Sequence, residues 1–432
     1  MKIDGGVDLK QERLQNGISL ISNETADTET VAISGSIKSG AICDTPGMFG
    51  TAELVARLLT RGTKNKTAGQ ISQSIEELGA TLSFENRDEA VSFSARCYYG
   101  VLDQILELIG ECLTEPNFPE TEITLSKSEI LSDLKSQEDD TRASAYRGLN
   151  SLIFGKDQPY GRDPLGRPAD LDRLTKVELV KFHEENYNPA TVIFGITGRY
   201  DFAHVLNKIE KVFTDWSGSQ PPKQFGIQST ELAPEIIRIE MKHKTQVDLA
   251  LGAKAIPRSS PLYYSLNLGN LILGRLGLYG RLGKNVREEK GLAYYAFSIL
   301  QAKLFSGQIG IYAGVNPKNV DQALTGIVEE IDRIATEAIS DSELTTAKRN
   351  LWGSLSLSLD TAAERVGLIH DIAYYQLGLD YLERYPKILE GISSDYVLQS
   401  CKQMFNPDRI SLVAAGPLED SELKLPKDLL KA

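Results

Sequence analysis

A twelve-residue pattern occurs twice in this chain and limits what it can fold into. Tyr187-Asn-Pro-Ala-Thr-Val-Ile-Phe-Gly-Ile-Thr-Gly198 returns as Phe405-Asn-Pro-Asp-Arg-Ile-Ser-Leu-Val-Ala-Ala-Gly416. An aromatic residue, Asn-Pro, an apolar run and a closing glycine recur at the same internal spacing. Asn-Pro marks a turn, and the β-branched run after it reads as a strand. Each copy follows a segment of helical character, Lys176–Glu185 and Ser394–Met404. Repetition at about half the chain length predicts two halves of similar build. The length agrees, because 432 residues are too many for one core. Between the halves, Ser217-Gly-Ser-Gln-Pro-Pro-Lys-Gln-Phe-Gly226 is dense in turn formers. The expected division is therefore a domain over residues 1–216, a linker over 217–232 and a domain over 233–432.

Within the first half, strands are expected at Ile18–Asn23 and Val31–Ile37, and a helix over Gly50–Thr60. Thr67-Ala-Gly-Gln70 has capping-box spacing and opens a helix that Gly79 closes. Alternation over Thr81–Phe84 and Val91–Ala95 predicts a hairpin, followed by helices at Val101–Leu113 and Glu120–Gln137. The second half repeats the logic. A strand around Val247, Leu249 and Leu251 precedes a buried helix over Tyr263–Leu273 and an amphipathic helix over Leu278–Glu288. A strand pair then covers Ala293–Leu300 and Gln308–Val315, with helices over Val320–Thr336 and Ser342–Leu359. The fold class is α+β: two similar domains, each an antiparallel-rich sheet with helices packed on one side.

Composition removes several function classes. A formal net charge of −12 argues against a nucleic-acid partner. The four cysteines form no C-x-x-C pair and no disulfide framework; Cys97 and Cys112 lie in apolar segments and read as core residues. The four histidines are too scattered for a local metal motif, and His183 reads as part of a surface helix. Met1-Lys-Ile-Asp-Gly-Gly carries no apolar signal core, and no run of about 18 apolar residues occurs. A cytoplasmic protein without a membrane span is expected, with prior removal of a signal peptide as the alternative.

Two constellations carry chemistry. Glu53 and Arg57 are spaced i,i+4 with the acid first, the favourable order on one helix face. Taken alone they are an ordinary surface pair, worth about 0.3–0.5 kcal/mol. Their setting, Gly50-Thr-Ala-Glu-Leu-Val-Ala-Arg-Leu-Leu-Thr-Arg-Gly-Thr63, resembles without a gap the metal helix of the pitrilysin, insulinase and mitochondrial processing peptidase family, roughly G-x-A-H-F-L-E-H-M-x-F-x-G-T. In that frame the first histidine is Glu53, the catalytic glutamate is Ala56 and the second histidine is Arg57. The family's third zinc ligand, a glutamate in a later helix, falls at Asp133 in Glu129-Ile-Leu-Ser-Asp-Leu134. Arginine keeps its proton and cannot ligate a cation, and alanine cannot act as a base. The resemblance therefore implies a degenerate zinc site at Glu53, Ala56, Arg57 and Asp133, filled by an ion pair or triad, with no metal in this chain.

The second constellation is Arg287-Glu-Glu-Lys-Gly-Leu-Ala-Tyr294, similar to the family's R-E-x-x-G-L-A-Y. An arginine fork and a tyrosine hydroxyl suit a peptide carbonyl and its developing oxyanion. The structural alternative is an arginine capping its own helix beside a core tyrosine. The preceding Gly274-Arg-Leu-Gly-Leu-Tyr-Gly-Arg281 has fewer glycines than the family's stretch there, and Tyr160–Pro168 matches a Gly/Pro-rich structural loop. Some family members split the active site between two chains, one carrying H-x-x-E-H and the other the Arg/Tyr pair. The resemblance then implies a non-catalytic, substrate-binding subunit of a heterodimeric zinc peptidase. Arg287 and Tyr294 act in trans, zinc belongs to the partner, and unfolded peptides are substrates. The alternative is a non-enzymatic structural or chaperone-like relative.

Overall fold

The computed structural model describes residues 8–26, 28–218, 232–419 and 421–429. Most of the expected linker, residues 219–231, lies outside them. Contacts group the chain into two compact units. The first holds residues up to Asp133, Asp163–Phe225 and Ser354–Glu383; the second holds Leu134–Arg162, Gly226–Gly353 and the chain from Arg384 on.

In the first unit, strands β1 (Lys10–Arg13), β2 (Ser19–Glu24) and β3 (Thr30–Ile37) precede helices α1 (Thr51–Leu58) and α2 (Ala68–Glu77). Strands β4 (Thr81–Asn86) and β5 (Val91–Tyr98), helices α3 (Leu102–Thr114) and α4 (Glu120–Glu138), and strand β6 (Val192–Gly198) follow, while α5 (Thr141–Phe154), between α4 and β6 in the chain, belongs to the second unit. The sheet order is β1-β2-β6-β3-β5-β4, antiparallel except for the parallel β2/β6 pair. Leu20, Ile21, Val31, Ile33, Phe194 and Ile196 are buried on it. Burying each such side chain contributes on the order of 1.5–3 kcal/mol. The α2 capping box forms as its spacing requires, and Gly79 takes φ +57 beyond the helix end. Strand β1 was not expected: Lys-Gln-Glu-Arg is exposed throughout and becomes a strand only by pairing with β2.

The second unit repeats the plan. Strands β7 (Ile236–Glu240), β8 (Val247–Ala255), β9 (Ala293–Ala302), β10 (Gly307–Val315) and β11 (Ser411–Gly416) order as β7-β11-β8-β10-β9. Strand β11 pairs parallel with β7 and antiparallel with β8, just as β6 pairs with β2 and β3. The repeated Asn-Pro also does the same work twice. Asn188 accepts from the Ala190 amide and Asn406 from the Asp408 amide, and each opens a 3₁₀ turn into its strand. Strands β10 and β11 are buried along their whole length, as central strands covered on both faces are.

Each sheet receives a helix from a distant stretch of chain. Helix α5, which precedes the expected linker, buries Ala145, Leu149 and Ile153 against Ala250, Tyr312, Val413 and Ala415 of the second unit. The helix Ala362–Tyr374, which comes after β10 and before β11 in the chain, packs on β6 and β3. It places His370 Nε2 2.8 Å from Ser36 Oγ, and its Tyr374 hydroxyl donates to Glu89. Neither helix was expected from the sequence.

Three expectations are corrected. The buried helix over Tyr263–Leu273 is α-helical only to Asn270 and continues as a π turn, Leu271–Arg275. The amphipathic helix over Leu278–Glu288 is a 3₁₀ turn, Gly277–Tyr279, followed by a π turn, Gly283–Glu289. Glycines explain the break: a Cβ on Gly280 would lie 3.0 Å from Gly274 Cα, and one on Gly283 would collide with the Gly277 carbonyl. His183 is half-buried and does not sit on an open helix surface. Its Nε2 lies 2.8 Å from the Leu113 carbonyl oxygen, its ring lies against Tyr187, and burial pushes its pKa down to about 4. All four cysteines are buried, and among the described residues none is in a disulfide.

Candidate functional site

Helix α1 begins at Gly50, whose φ of +98 an L side chain rarely adopts. A Cβ there would also meet the Leu165 carbonyl at 2.8 Å, and one on Gly166 (φ +88) would collide with the Phe49 carbonyl. The Gly/Pro-rich loop and the entrance of α1 thus approach backbone to backbone, which explains both glycines. Asp44 anchors the entrance by accepting the Gly50 and Ala52 amides, each at 2.8 Å.

Within this frame α1 buries nearly every side chain, Ala56 included. The Glu53 side chain is 10% exposed, Arg57 27% and the facing Asp133 of α4 50%. Arg57 Nε donates to Glu53 Oε1 at 2.6 Å, and an Arg57 Nη donates to Asp133 Oδ2 at 2.7 Å. The guanidinium is therefore shared between two carboxylates on two helices. Burial raises the Glu53 pKa, and the opposing pull of Arg57 does not cancel it. Burial opposes the Arg57 charge, but the hydrogen bonds it donates to Glu53 and Asp133 outweigh it and raise its pKa.

These residues do not fit zinc. Imidazole is absent, the place between the two carboxylates holds a fixed cation, and Ala56 offers no base. Among the described residues, no group of three or more His, Cys, Asp or Glu could hold a metal ion. Just past the end of α1, Arg61 pairs with Glu129 at 3.3 Å and Glu122 at 3.6 Å, adding a second rung to the attachment of α4. Sequence reading missed this rung. The signal was the same one that marks the first rung: Arg61 is i+4 from Arg57, and Glu129 is i−4 from Asp133.

Arg287 and Tyr294 lie in the second unit, either side of a turn at Gly291 (φ +62). Arg287 lies in the last turn of the π segment and Tyr294 is the second residue of β9. The Arg287 side chain is 45% exposed and its nearest acid, Glu288, is 3.9 Å away. Tyr294 is 57% exposed. Among the described residues neither side chain makes a hydrogen bond, so Arg287 does not cap the end of its own helix. The segment beneath them is held firmly: buried Glu330 accepts from Asn285 and pairs with Arg333 at 2.8 Å. Two donor side chains are thus exposed to solvent, and each can donate to an acceptor of a second molecule. The structure places Glu53, Arg57 and Asp133 together in the first unit and Arg287 and Tyr294 in the second.

Comparison with known proteins gives one consistent family. The family model described as "Insulinase (Peptidase family M16)" matches residues 19–162, and the one described as "Peptidase M16 inactive domain" matches residues 173–351. An uncharacterized zinc protease of Streptomyces coelicolor is 24% identical over 96% of this chain and 91% of its own length. One of Bacillus subtilis is 26% identical over 83% of this chain and 86% of its own. Among solved structures, the peptidase M16 inactive domain from Pseudomonas fluorescens superposes with a TM-score of 0.89 at 24% identity, covering 95% of this chain and 98% of that one. A protease from Helicobacter pylori gives 0.89 at 19% identity, covering 95% and 100%. Among the described residues, no helix is long and apolar enough to cross a membrane.

Proposed function

This chain belongs to the peptidase M16 family as a non-catalytic member, and from that premise we propose that it is the substrate-binding subunit of a heterodimeric zinc peptidase. Its partner is a homologous chain carrying H-x-x-E-H, which holds the zinc and the general base. This chain contributes Arg287 and Tyr294 to the partner's active site and binds unfolded peptides. One observation carries the reading: the metal helix is disabled at all three chemical positions, while Arg287 and Tyr294 remain in their motif, exposed and without a hydrogen-bond partner among the described residues. A merely decaying site has no reason to spare that pair.

In this reading the H-x-x-E-H residues of the partner would hold a zinc ion, which would supply Lewis-acid chemistry there. The guanidinium fork of Arg287 and the hydroxyl of Tyr294 donate to the substrate carbonyl oxygen as negative charge develops on it. The test is to purify this chain alone, the partner alone and both together, and to assay a fluorogenic peptide. Activity is expected only from the pair. In the pair, Arg287→Ala or Tyr294→Phe is expected to lower kcat by on the order of 10²-fold with assembly intact. Wild-type kcat from both variants, or no activity gained on mixing, would favour the non-enzymatic, chaperone-like alternative.

A further inference from the structure

A second site lies in the second unit, built on later residues of the strand that carries Tyr294. A recess of about 520 Å³ opens among the C-terminal end of α4, the first turns of α5 and the hairpin β9/β10, within the range of small-ligand sites. Its floor is aromatic. Tyr146 of α5, Phe297 of β9 and Tyr312 of β10 line it, and Tyr295 continues the row. Neighbouring ring centroids lie 5.6 Å (Tyr295–Phe297), 5.5 Å (Phe297–Tyr312) and 5.8 Å (Tyr146–Tyr312) apart, all tilted by only 31–33°.

The sequence builds this floor with glycines. Strand β10 reads Gly-Gln-Ile-Gly-Ile-Tyr-Ala-Gly-Val, and a Cβ on Gly310 would come within 2.6 Å of the Tyr312 ring. One on Gly314 would come within 2.5 Å of the Tyr295 ring. Both rings therefore lie down over glycine seats instead of standing off the sheet. Polar contacts hold the edges. Tyr295 donates to buried Asp248, which Thr141 and Gln246 also reach, and the Tyr146 hydroxyl bonds Gln301.

The charge at the mouth is specific. Arg142 lies 5.0 Å from the Tyr295 centroid and 5.2 Å from that of Phe297. Stacking uses the face of a guanidinium and leaves its in-plane N–H fork open. Of the neighbouring acids, Asp139 pairs with Lys244 at 3.1 Å, and Asp140, which also lines the recess, caps α5 by accepting the Ala143 amide at 2.7 Å. Arg142 makes no ion pair or hydrogen bond among the described residues. The recess thus offers a flat apolar floor and, at its rim, a guanidinium fork engaged in no ion pair or hydrogen bond among the described residues.

We propose that this recess binds a carboxylate attached to an aromatic group, with Arg142 holding the carboxylate and Tyr146, Phe297 and Tyr312 receiving the ring. Such a ligand comes from two sources: a free aromatic acid, or the C-terminal residue of a peptide. A cationic ligand is disfavoured by Arg142, and a purely apolar one leaves the guanidinium fork unused. The site is independent of any partner subunit, so it survives failure of the heterodimer reading.

The experiment uses the full chain and calorimetric titration with four probes: N-acetyl-phenylalanine, its amide, a short peptide ending in phenylalanine, and that peptide amidated. Each acid is expected to bind at least about tenfold more tightly than its amide, the effect of losing one charge-assisted pair. Arg142→Gln is expected to abolish the preference, with its fold checked by an unchanged melting curve, and Arg142→Lys to keep part of it because the fork is lost and the charge remains. Phe297→Leu is expected to weaken acids and amides alike. Equal affinity for the two acids identifies a free-acid site, and tighter binding of the peptide acid identifies a chain-terminus site. Equal binding of acids and amides, an undiminished preference in Arg142→Gln, or no saturable binding of any probe at millimolar concentration overturns the proposal.

Discussion

Arg57 decides the character of the degenerate metal site. A guanidinium held at 2.6 and 2.7 Å by carboxylates from two helices does mechanically what a metal would do, joining α1 to α4, without its chemistry. Glu53 makes the arrangement costly to break. It is nearly buried, and its raised pKa shows that desolvation already outweighs the help of its partner. Arg57→Ala would leave that carboxylate buried and unpaired, so a loss of about 2–4 kcal/mol is expected, somewhat below the range for fully buried pairs because Arg57 is about a quarter exposed. The double variant Glu53→Ala/Arg57→Ala removes the stranded charge and is expected to recover part of the loss. Denaturant melts of the two variants check this; equal or greater loss in the double variant would refute it. The meeting of Glu53, Arg57 and Asp133 was legible in the sequence from the i,i+4 spacing and the family frame. The depth of Glu53 was not, because burial depends on which elements cover α1.

Elements were legible where backbone signals are local. The Thr67 box, the Asn-Pro turns and the alternation of the β4/β5 hairpin act within a few residues, and the structure forms them where the sequence places them. They failed where glycines let the backbone fold onto itself. Between Asn270 and Glu289 helical periodicity was read as two helices, but close contacts at Gly280 and Gly283 force π and 3₁₀ turns. Such contacts join residues whose approach periodicity does not encode. The glycine segment is tied down by Arg281, which bonds Glu343 through two nitrogens at 2.7 and 3.2 Å. Glu343 also closes a cap with Ser340 at the start of the helix Asp341–Leu357. Burial alone would raise the Glu343 pKa, but the Arg281 and Ser340 bonds overcome it and hold it at about 2. A depressed carboxylate stabilises the fold above the ordinary glutamate range, and that contribution is lost as pH falls from about 4.5 toward 2. Glu343→Gln is therefore expected to cost about 2 kcal/mol at pH 7, discounted for partial exposure. The gap to wild type should close steadily below pH 4.5; a gap independent of pH would refute the assignment.

At the scale of the whole molecule, duplication was legible and exchange was not. The two Asn-Pro repeats become β6 and β11, and each takes a parallel partner on one side and an antiparallel partner on the other. The sheet orders correspond strand for strand once the edge strand β1 is set aside. Yet α5 packs on the second sheet and Ala362–Tyr374 on the first. The apolar stripe of a helix shows that it must be covered but not by which sheet, so this could not be read from periodicity.

A metal-independent fold follows from the same whole. Both units bury their cores by sheet and helix packing, and the contact between α1 and α4 is closed by Arg57 and Arg61 with no donor set suited to zinc. Had a metal joined those helices, its binding energy would be part of the folding energy, and a chelator would lower the melting temperature. For the isolated chain, melts with and without a strong chelator are expected to coincide, with well under one zinc per chain by elemental analysis. In the proposed heterodimer the same chelator should abolish peptide hydrolysis while the melting transition of this subunit stays in place. A chelator-sensitive transition in the isolated chain, accompanied by about one zinc released, would overturn the reading of Arg57 as the permanent occupant of the metal position.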